Sequence, residues 1–324
     1  MTTIIVATGT ITDVALETSH LSGRGSVRLA SVDTPEQVRE ATRDADAIVV
    51  TTNPLTRAHI DALGPHVRVI GRAGTGLDAI DLVAAGERGL VVYHTPDYCT
   101  AEVSTHAVAL ILAVHRRLLD ADRQARTDYR AWRSIGPIPP LDEATAGVVG
   151  GGRIGRAVMA RLRPFVARIV TYDPFVDSAP EGVVVAASLD ELLRQSDILT
   201  LHLPLGPETR GLIGAQQLAL LPMGAVVVNV SRGGLVDEAA LAVALESGHL
   251  AGAALDVLQS EPPTADDPIL SAAHLQLTPH IAWYSTASET RVRTQVLDGV
   301  LACLAGEAPV TGRVALDPRP QTGS

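Results

Sequence analysis

Four polar residues in the second half of the chain have the types and placement for acid–base and anion chemistry: Arg232, Asp256, Glu261 and His280. Arg232 follows the apolar run 226–230, and Asp256 closes the run 251–255. Glu261 stands in a loop stiffened by Pro262 and Pro263, and His280 follows Leu277-Thr278-Pro279. Each lies at or just past the end of a stretch that reads as a strand. In an open parallel sheet the carboxyl ends of the strands face one crevice, so residues distant in sequence can converge there. Arginine is always cationic, and its fork can hold a carboxylate two-pronged and polarise a neighbouring carbonyl. Histidine gives and takes a proton near neutral pH. A glutamate paired with it favours the imidazolium and fixes the ring. Taken singly, Arg232 is equally a solvated charge at a turn, His280 a loop histidine, Glu261 a surface acid and Asp256 a strand end. Only their joint placement favours chemistry.

The stretch that such a site needs beside it is 146–155. Val148 and Val149 read as the end of a buried strand, and Gly150, Gly152 and Gly155 then give G-x-G-x-x-G. A helix pattern follows at once, with Ile154, Val158 and Leu162 on one face, until Pro164. The next strand, 169–172, delivers Asp173. Gly150 permits the tight turn, Gly152 lets backbone approach a pyrophosphate, and Gly155 lets helix and strand pack closely. The helix-start amides around Arg153 and Ile154 then face the phosphates. Asp173 can accept from a ribose 2′-hydroxyl and would repel a 2′-phosphate, which favours NAD over NADP. With 28 glycines a lone match is weak. The strand before it, the helix after it and the acid ending the next strand make it specific. A cation clamp, a proton donor and bound NADH together would reduce a 2-oxo acid.

The other elements follow the same alternation. In the first part, strands are expected at 4–7, 46–50, 67–70 and 90–93. Helices are expected at 35–43, with Thr34 as cap and Pro35 at the first position, and at 59–63 and 81–86. This is a small parallel α/β unit. Within it, Gly71-Arg72-Ala73-Gly74-Thr75-Gly76-Leu77-Asp78 sits past a strand end. Its glycines free amides to bind an anion, or it is a plain strand-to-helix turn. Residues 102–119 read as one long helix that is apolar nearly all round. Such a helix is buried, either between domains or in a dimer interface. His106 on it reads as structural. After a stiff loop at 136–140 and the Gly-rich strand, further strands are expected at 197–203, 225–230, 251–257 and 274–277. Helices are expected at 189–195, 238–246 and 286–304. The second part is thus a six- or seven-strand doubly wound sheet. The polar run 317–324 is expected to fray.

Bulk numbers agree with this class. A length of 324 residues suggests about two domains. At 46% hydrophobic but only 3% aromatic, aliphatic side chains must fill the interior, as in buried parallel sheets. Net charge −10 argues against a nucleic-acid surface. All 26 basic residues are arginine, a mark of GC-rich coding. Cys99 and Cys303 match no metal or redox spacing, so no metal is expected and a reduced cytoplasmic protein is the simple reading. No signal peptide or membrane span is seen.

From about 67 to 306 the chain resembles the D-isomer-specific 2-hydroxyacid dehydrogenase family. The motifs are the 71–78 loop, the Gly-rich loop through Tyr172-Asp173-Pro174, Asn229-Val230-Ser231-Arg232-Gly233-Gly234-Leu235-Val236-Asp237, Leu255-Asp256-Val257 through Glu261-Pro262, and Thr278-Pro279-His280. The resemblance implies that Arg232 binds substrate, Glu261 supports the histidine, His280 is the acid/base and Asp256 contacts the nicotinamide amide. It adds Pro174, His202, Pro204, Thr209, Val230, Ser231 and Ala282 to the cofactor surface. Arg72, Ala73, Gly74, Thr75 and Gly76 join the substrate site, with Arg72 similar to an arginine that meets a substrate phosphate in D-3-phosphoglycerate dehydrogenases. Trp283 is similar to a pocket tryptophan of the C-terminal binding protein group. Departures are Gly151 in place of a leucine-like residue, Ala107 in place of threonine, and the acidic Asp142-Glu143 before the first cofactor strand.

The implied fold is α/β, with two Rossmann-like doubly wound parallel-sheet domains. A substrate domain of 1–99 plus 287–324 holds an inserted NAD-binding domain, 100–286. The implied activity is NAD-dependent interconversion of a 2-oxo acid and a D-2-hydroxy acid in a homodimer, with Arg72 pointing to a second anionic group on the substrate such as phosphate or phosphonate. The alternatives are an NAD(H)-sensing regulatory protein and, more remotely, a phosphonate or phosphite substrate.

Overall fold

Uninterrupted aliphatic runs become strands buried on both faces, as sheets covered by helices on either side require. The computed structural model describes residues 2–176 and 178–319. The chain divides into two units, Met1–Cys99 with Ser285–Ser324, and Thr100–Tyr284.

In the first unit, β1 (Thr2–Ala7), β2 (Gly25–Ala30), β3 (Ala47–Val50), β4 (Val69–Arg72) and β5 (Val91–His94) lie in the order β2-β1-β3-β4-β5. All are parallel, and Arg313–Leu316 adds an antiparallel edge on β5. Helix Pro35–Ala41 starts as expected. The Thr34 hydroxyl accepts from the Gln37 amide at 3.3 Å, and the Gln37 side chain accepts from the Thr34 amide at 3.1 Å. Helix Thr286–Ala305 packs on β4 and β5. Its close seat needs two small residues. A Cβ on Gly71 would lie 2.5 Å from Val300, and one on Gly299 would lie 2.0 Å from the Tyr93 ring. Helix Ala15–His20, strand β2 and the edge Arg313–Leu316 were not expected. The polar run from 317 is tied at its start, where Arg319 donates to Asp317 at 2.7 Å and to the Cys303 carbonyl at 2.9 Å. Residues 320–324 lie outside the described residues.

In the second unit the strands are β6 (Thr145–Val149), β7 (Arg168–Tyr172), β8 (Val184–Val185), β9 (Ile198–Leu201), β10 (Ala225–Asn229), β11 (Leu250–Leu255) and β12 (Leu275–Leu277). Their order is β8-β7-β6-β9-β10-β11-β12, all parallel. The winding reverses between β6 and β9, the switch point where open sheets take ligands. Helix Thr100–His115 packs against helix Arg153–Leu162 and against β10 and β11. The expected single helix over 102–119 is corrected here. It ends at His115, Arg117 takes a left-handed φ of 51°, and a second helix runs Leu118–Thr127. The Arg117 guanidinium donates to the Ile135 carbonyl at 2.7 Å, which fixes the break. Leu118 and Leu119 are exposed rather than buried. Among the described residues no helix is long and apolar enough to cross a membrane.

Candidate active site

The glycine loop leaves β6 at Val149 and enters helix Arg153–Leu162. Gly150 has φ +101°, and a Cβ there would lie 2.3 Å from the His202 carbonyl oxygen, so a side chain is excluded twice over. A Cβ on Gly155 would stand 1.9 Å from the Gly150 carbonyl oxygen, so its absence seats the first helical turn on the loop. Gly152 is different: among the described residues nothing lies within 4 Å of where its Cβ would be. That leaves an open approach to the first amides of the helix, at Arg153 and Ile154, which have no carbonyl partner within the helix.

Asp173, just after β7, accepts from the Gly151 amide at 2.7 Å and the Phe175 amide at 2.9 Å. Each oxygen keeps a lone pair for a ribose hydroxyl. Pro174 follows and is exposed. His202, just after β9, is buried, with Nε2 at 2.9 Å from the Thr200 hydroxyl and Nδ1 without a partner among the described residues. Burial pushes its pKa down to about 3, so the ring stays neutral. Beyond exposed Pro204, the Thr209 hydroxyl donates to the Pro204 carbonyl at 2.8 Å and accepts from the Gly206 amide at 2.8 Å. Open space over Gly152, helix-start amides, a carboxylate held beside the loop and a ring nitrogen without a partner among the described residues fit a dinucleotide.

The acid–base pair stands at the neighbouring strand ends. His280 Nδ1 donates to Glu261 Oε2 at 2.6 Å, and Glu261 Oε1 accepts from the Leu258 amide at 2.9 Å. With Nδ1–H committed, Nε2 is left to exchange a proton. Burial raises the Glu261 pKa, but hydrogen bonds from His280 and the Leu258 amide, with the charges of His280 and Arg232, outweigh it and hold the carboxyl below its ordinary value. The His280 backbone is left-handed, φ +53°, a conformation that costs a non-glycine residue about 1 kcal/mol or more.

Asp256 supplies the restraint. Its carbonyl accepts from His280 N at 2.8 Å, Oδ1 accepts from Ile281 N at 2.9 Å, and Oδ2 accepts from Ala282 N at 2.8 Å. The Thr278 hydroxyl donates to Oδ1 at 2.5 Å. The carboxylate expected on the cofactor is thus 2% exposed and engaged with the His280 loop. Ala282 is likewise buried, and Trp283 packs edge-on to Tyr284 with ring centroids 5.6 Å apart.

Arg232 owes its place to Asn229, to which the sequence assigned no role, and to Ser231. Asn229, fully buried at the end of β10, donates from Nδ2 to the Arg232 carbonyl at 2.8 Å and accepts the Ser231 amide at 3.0 Å. The Ser231 hydroxyl donates to the Leu201 carbonyl at 2.7 Å, and Val230 is buried. A Cβ on Gly233 would lie 1.9 Å from the Leu258 carbonyl carbon, so the loop bearing Glu261 crosses directly over the residue after Arg232. Glu238 anchors that loop by accepting the Gln259 amide at 2.6 Å. The run Asn-Val-Ser-Arg-Gly-Gly was the available signal. His106, read as structural, reaches the same network: its Nε2 lies 3.0 Å from the Thr278 hydroxyl.

In the first unit, β4 ends at Arg72, which donates to the Ala73 carbonyl. The Gly74 amide donates to the Thr95 hydroxyl at 2.9 Å, and His94 Nδ1 donates to the Thr75 carbonyl at 2.9 Å. These bonds fix the loop by Gly74 and Thr75. Among the described residues the amides of Thr75 and Gly76 meet no acceptor, and the buried Thr75 hydroxyl has no partner.

Comparisons with known proteins bear on this arrangement. The family model described as "D-isomer specific 2-hydroxyacid dehydrogenase, NAD binding domain" matches residues 108–282, more than half of the chain. The D-3-phosphoglycerate dehydrogenase of Mycobacterium leprae is 38% identical over 286 residues, covering 87% of this chain and 54% of the relative. The chain therefore spans about half the length of the first curated relatives it matches. The glyoxylate reductase of Korarchaeum cryptofilum is 37% identical over 276 residues, 83% of either chain. The D-lactate dehydrogenase of Aquifex aeolicus, solved with NAD and lactic acid, superposes with a TM-score of 0.84 at 28% identity, covering 94% of this chain and 96% of that one. With the glycine loop, the Arg232 turn and the Glu261–His280 pair on one sheet edge, this chain belongs to the D-isomer specific 2-hydroxyacid dehydrogenase family.

Proposed function

We propose that this protein is an NAD-dependent oxidoreductase that interconverts a 2-oxo acid and a D-2-hydroxy acid. The observation that carries the reading is the 2.6 Å His280–Glu261 pair, close enough to Arg232 to feel its charge, at the sheet edge that holds the Gly150–Gly155 loop. Bound NADH would supply the hydride to the substrate C2. Gly150, Gly152, Gly155, Arg153 and Ile154 hold the pyrophosphate, and Asp173 takes the ribose hydroxyls and disfavours NADP. Pro174, His202, Pro204, Thr209, Val230 and Ser231 complete that surface, and Asp256 and Ala282 act by fastening the His280 loop.

Arg232 clamps the substrate carboxylate and polarises the neighbouring carbonyl. His280 Nε2 gives its proton to the forming alkoxide, and Glu261 offsets the positive charge on the ring beforehand. The chain has no lysine, so no imine to a side-chain amine competes as a mechanism. The Thr75 and Gly76 amides offer further donors to the carboxylate, within a loop shaped by Ala73 and Gly74, and Arg72 is the residue to read a second anionic group. Trp283 lines the substrate side. In this reading Thr100–Tyr284 is the cofactor unit and the rest of the chain the substrate unit. The sensing alternative gains no support from relatives whose names are those of dehydrogenases and reductases.

NADH oxidation against short, aromatic and phosphorylated 2-oxo acids tests the reading. His280→Ala should bind NADH normally and lose turnover by orders of magnitude; near-normal turnover removes His280 from the role. Tight NADH binding with no turnover on any acid favours the sensor.

We also propose a homodimer. Residues 118–132 carry Leu118, Leu119, Tyr129 and Trp132, all exposed and apolar, which suits burial against a second copy.

A further inference from the structure

We propose that His106 is a positioning residue for the turn that aims His280, acting through Thr278 and Asp256. The proposal rests on the catalytic reading of His280 given above.

Proton counting fixes the direction of every bond in the chain. An ionised carboxylate only accepts, so the 2.5 Å contact between Thr278 Oγ1 and Asp256 Oδ1 is a donation from the hydroxyl. A hydroxyl has one proton. With it used there, the 3.0 Å contact to His106 Nε2 requires the ring to donate and the hydroxyl oxygen to accept. His106 therefore carries hydrogen on Nε2. The line runs from His106 Nε2–H to Thr278 O–H to Asp256 Oδ1.

Asp256 passes this restraint on. Its two carboxylate oxygens hold the amides of Ile281 and Ala282, and its carbonyl holds the amide of His280. Those three residues are the turn at which His280 takes its left-handed φ of 53°. A strained turn persists only where its surroundings over-determine it. The Thr278 hydroxyl, held from behind by His106, keeps the Asp256 carboxylate in the one orientation that meets both amides. Without the His106 donor the hydroxyl is free to rotate, and the carboxylate loses its lateral restraint.

The helix bearing His106 lies 172 positions away in sequence but packs on β10, β11 and β12. It is therefore a rigid mount. Both the neutral Nε2–H tautomer and the imidazolium keep the donor.

The test uses the full chain with His106→Ala, His106→Gln, Thr278→Val, Thr278→Ser and the double variant His106→Ala/Thr278→Val. The first readout is turnover of a 2-oxo acid. His106→Ala and Thr278→Val should each lower kcat about tenfold, with KM and NADH affinity within about twofold and the pH profile unmoved. His106→Gln and Thr278→Ser, which keep a donor, should recover most of the loss. The double variant should be no worse than the poorer single one.

The second readout needs neither cofactor nor turnover. Amide hydrogen exchange at Ile281 and Ala282 should quicken about tenfold in His106→Ala and Thr278→Val. Wild-type exchange and kcat in both variants, losses that add, or a displaced pH profile would overturn the proposal. If His106→Ala fails to fold, the Thr278→Val and Thr278→Ser pair decides by the same two measurements. If His280→Ala keeps turnover, the catalytic reading fails while the exchange result still judges the network.

Discussion

His280 Nδ1 and Glu261 Oε2 are 2.6 Å apart, and the carboxyl is held below its ordinary pKa. Two consequences have definite signs. Glu261→Gln removes the charge that keeps the proton on the imidazole, so 2-oxo acid reduction should fail first on the alkaline side of the profile. The stabilising part of the pair is fully present above the ordinary 4.5 and is lost as pH falls through the depressed value. Denaturation midpoints of wild type and Glu261→Gln should therefore differ at pH 7 and converge in acid.

Gly152 and Gly155 separate binding from folding. Gly152→Ala meets nothing within 4 Å among the described residues and should leave the melting temperature of the free protein nearly unchanged while weakening NADH. Gly155→Ala drives a methyl to 1.9 Å from the Gly150 carbonyl. It should cost about 1–3 kcal/mol of stability as well as NADH affinity. Melting curves and NADH titration of both variants check this pair; equal effects on the two quantities would refute it.

In the proposed reading Asp173 sets the choice of dinucleotide through charge. Asp173→Ser should narrow the NADH over NADPH preference in kcat/KM by about tenfold or more, because the repulsion of a 2′-phosphate disappears. An unchanged ratio would take Asp173 off the ribose.

His115 is buried with neither ring nitrogen hydrogen-bonded among the described residues. Burial, then the charge of Arg116, lowers its pKa against a weaker opposite pull from Asp197. The ring is thus neutral in the folded protein at pH 7, and the penalty for charging it grows as pH falls below the ordinary 6.5. His115→Leu should stabilise the protein by about 1–3 kcal/mol at pH 7, more at pH 5.5, in urea titrations.

Trp132→Ala with Tyr129→Ala should shift the sedimentation of the protein from dimer to monomer with its helix content intact. Unchanged sedimentation as a dimer would move the interface elsewhere, and a monomeric wild type would refute the dimer.

Features written in neighbouring residues were legible in the sequence. The glycine loop, Asp173 and the Thr34 cap each act within one turn or one strand, so spacing revealed them. Arg232, Glu261 and His280 were singled out because strand ends converge by topology, and the contact of the last two is in the structure. The fastening of the His280 turn was not legible, since His106, Thr278 and Asp256 owe their contact to helix packing. That the Asp256 carboxylate meets the amides of Ile281 and Ala282 was not legible either, since no local pattern shows it. The break at Arg117 was missed for the same reason: its guanidinium is held by Ile135, and no glycine or proline marks the spot. Helix Ala15–His20 has no side-chain cap, and its buried Glu17 is paired by Arg293, 276 residues away.

The seat of helix Thr286–Ala305 against Gly71 and Tyr93 sets an order on synthesis. A ribosome releases every strand of the sheet running from β8 to β12 before it delivers that helix. The nascent chain can complete its glycine loop and acid–base pair while β4 and β5 still lack their cover. The unit holding β1 to β5 is thus sealed after the later-made sheet, and until then its β4–β5 face stays open to chaperones and proteases.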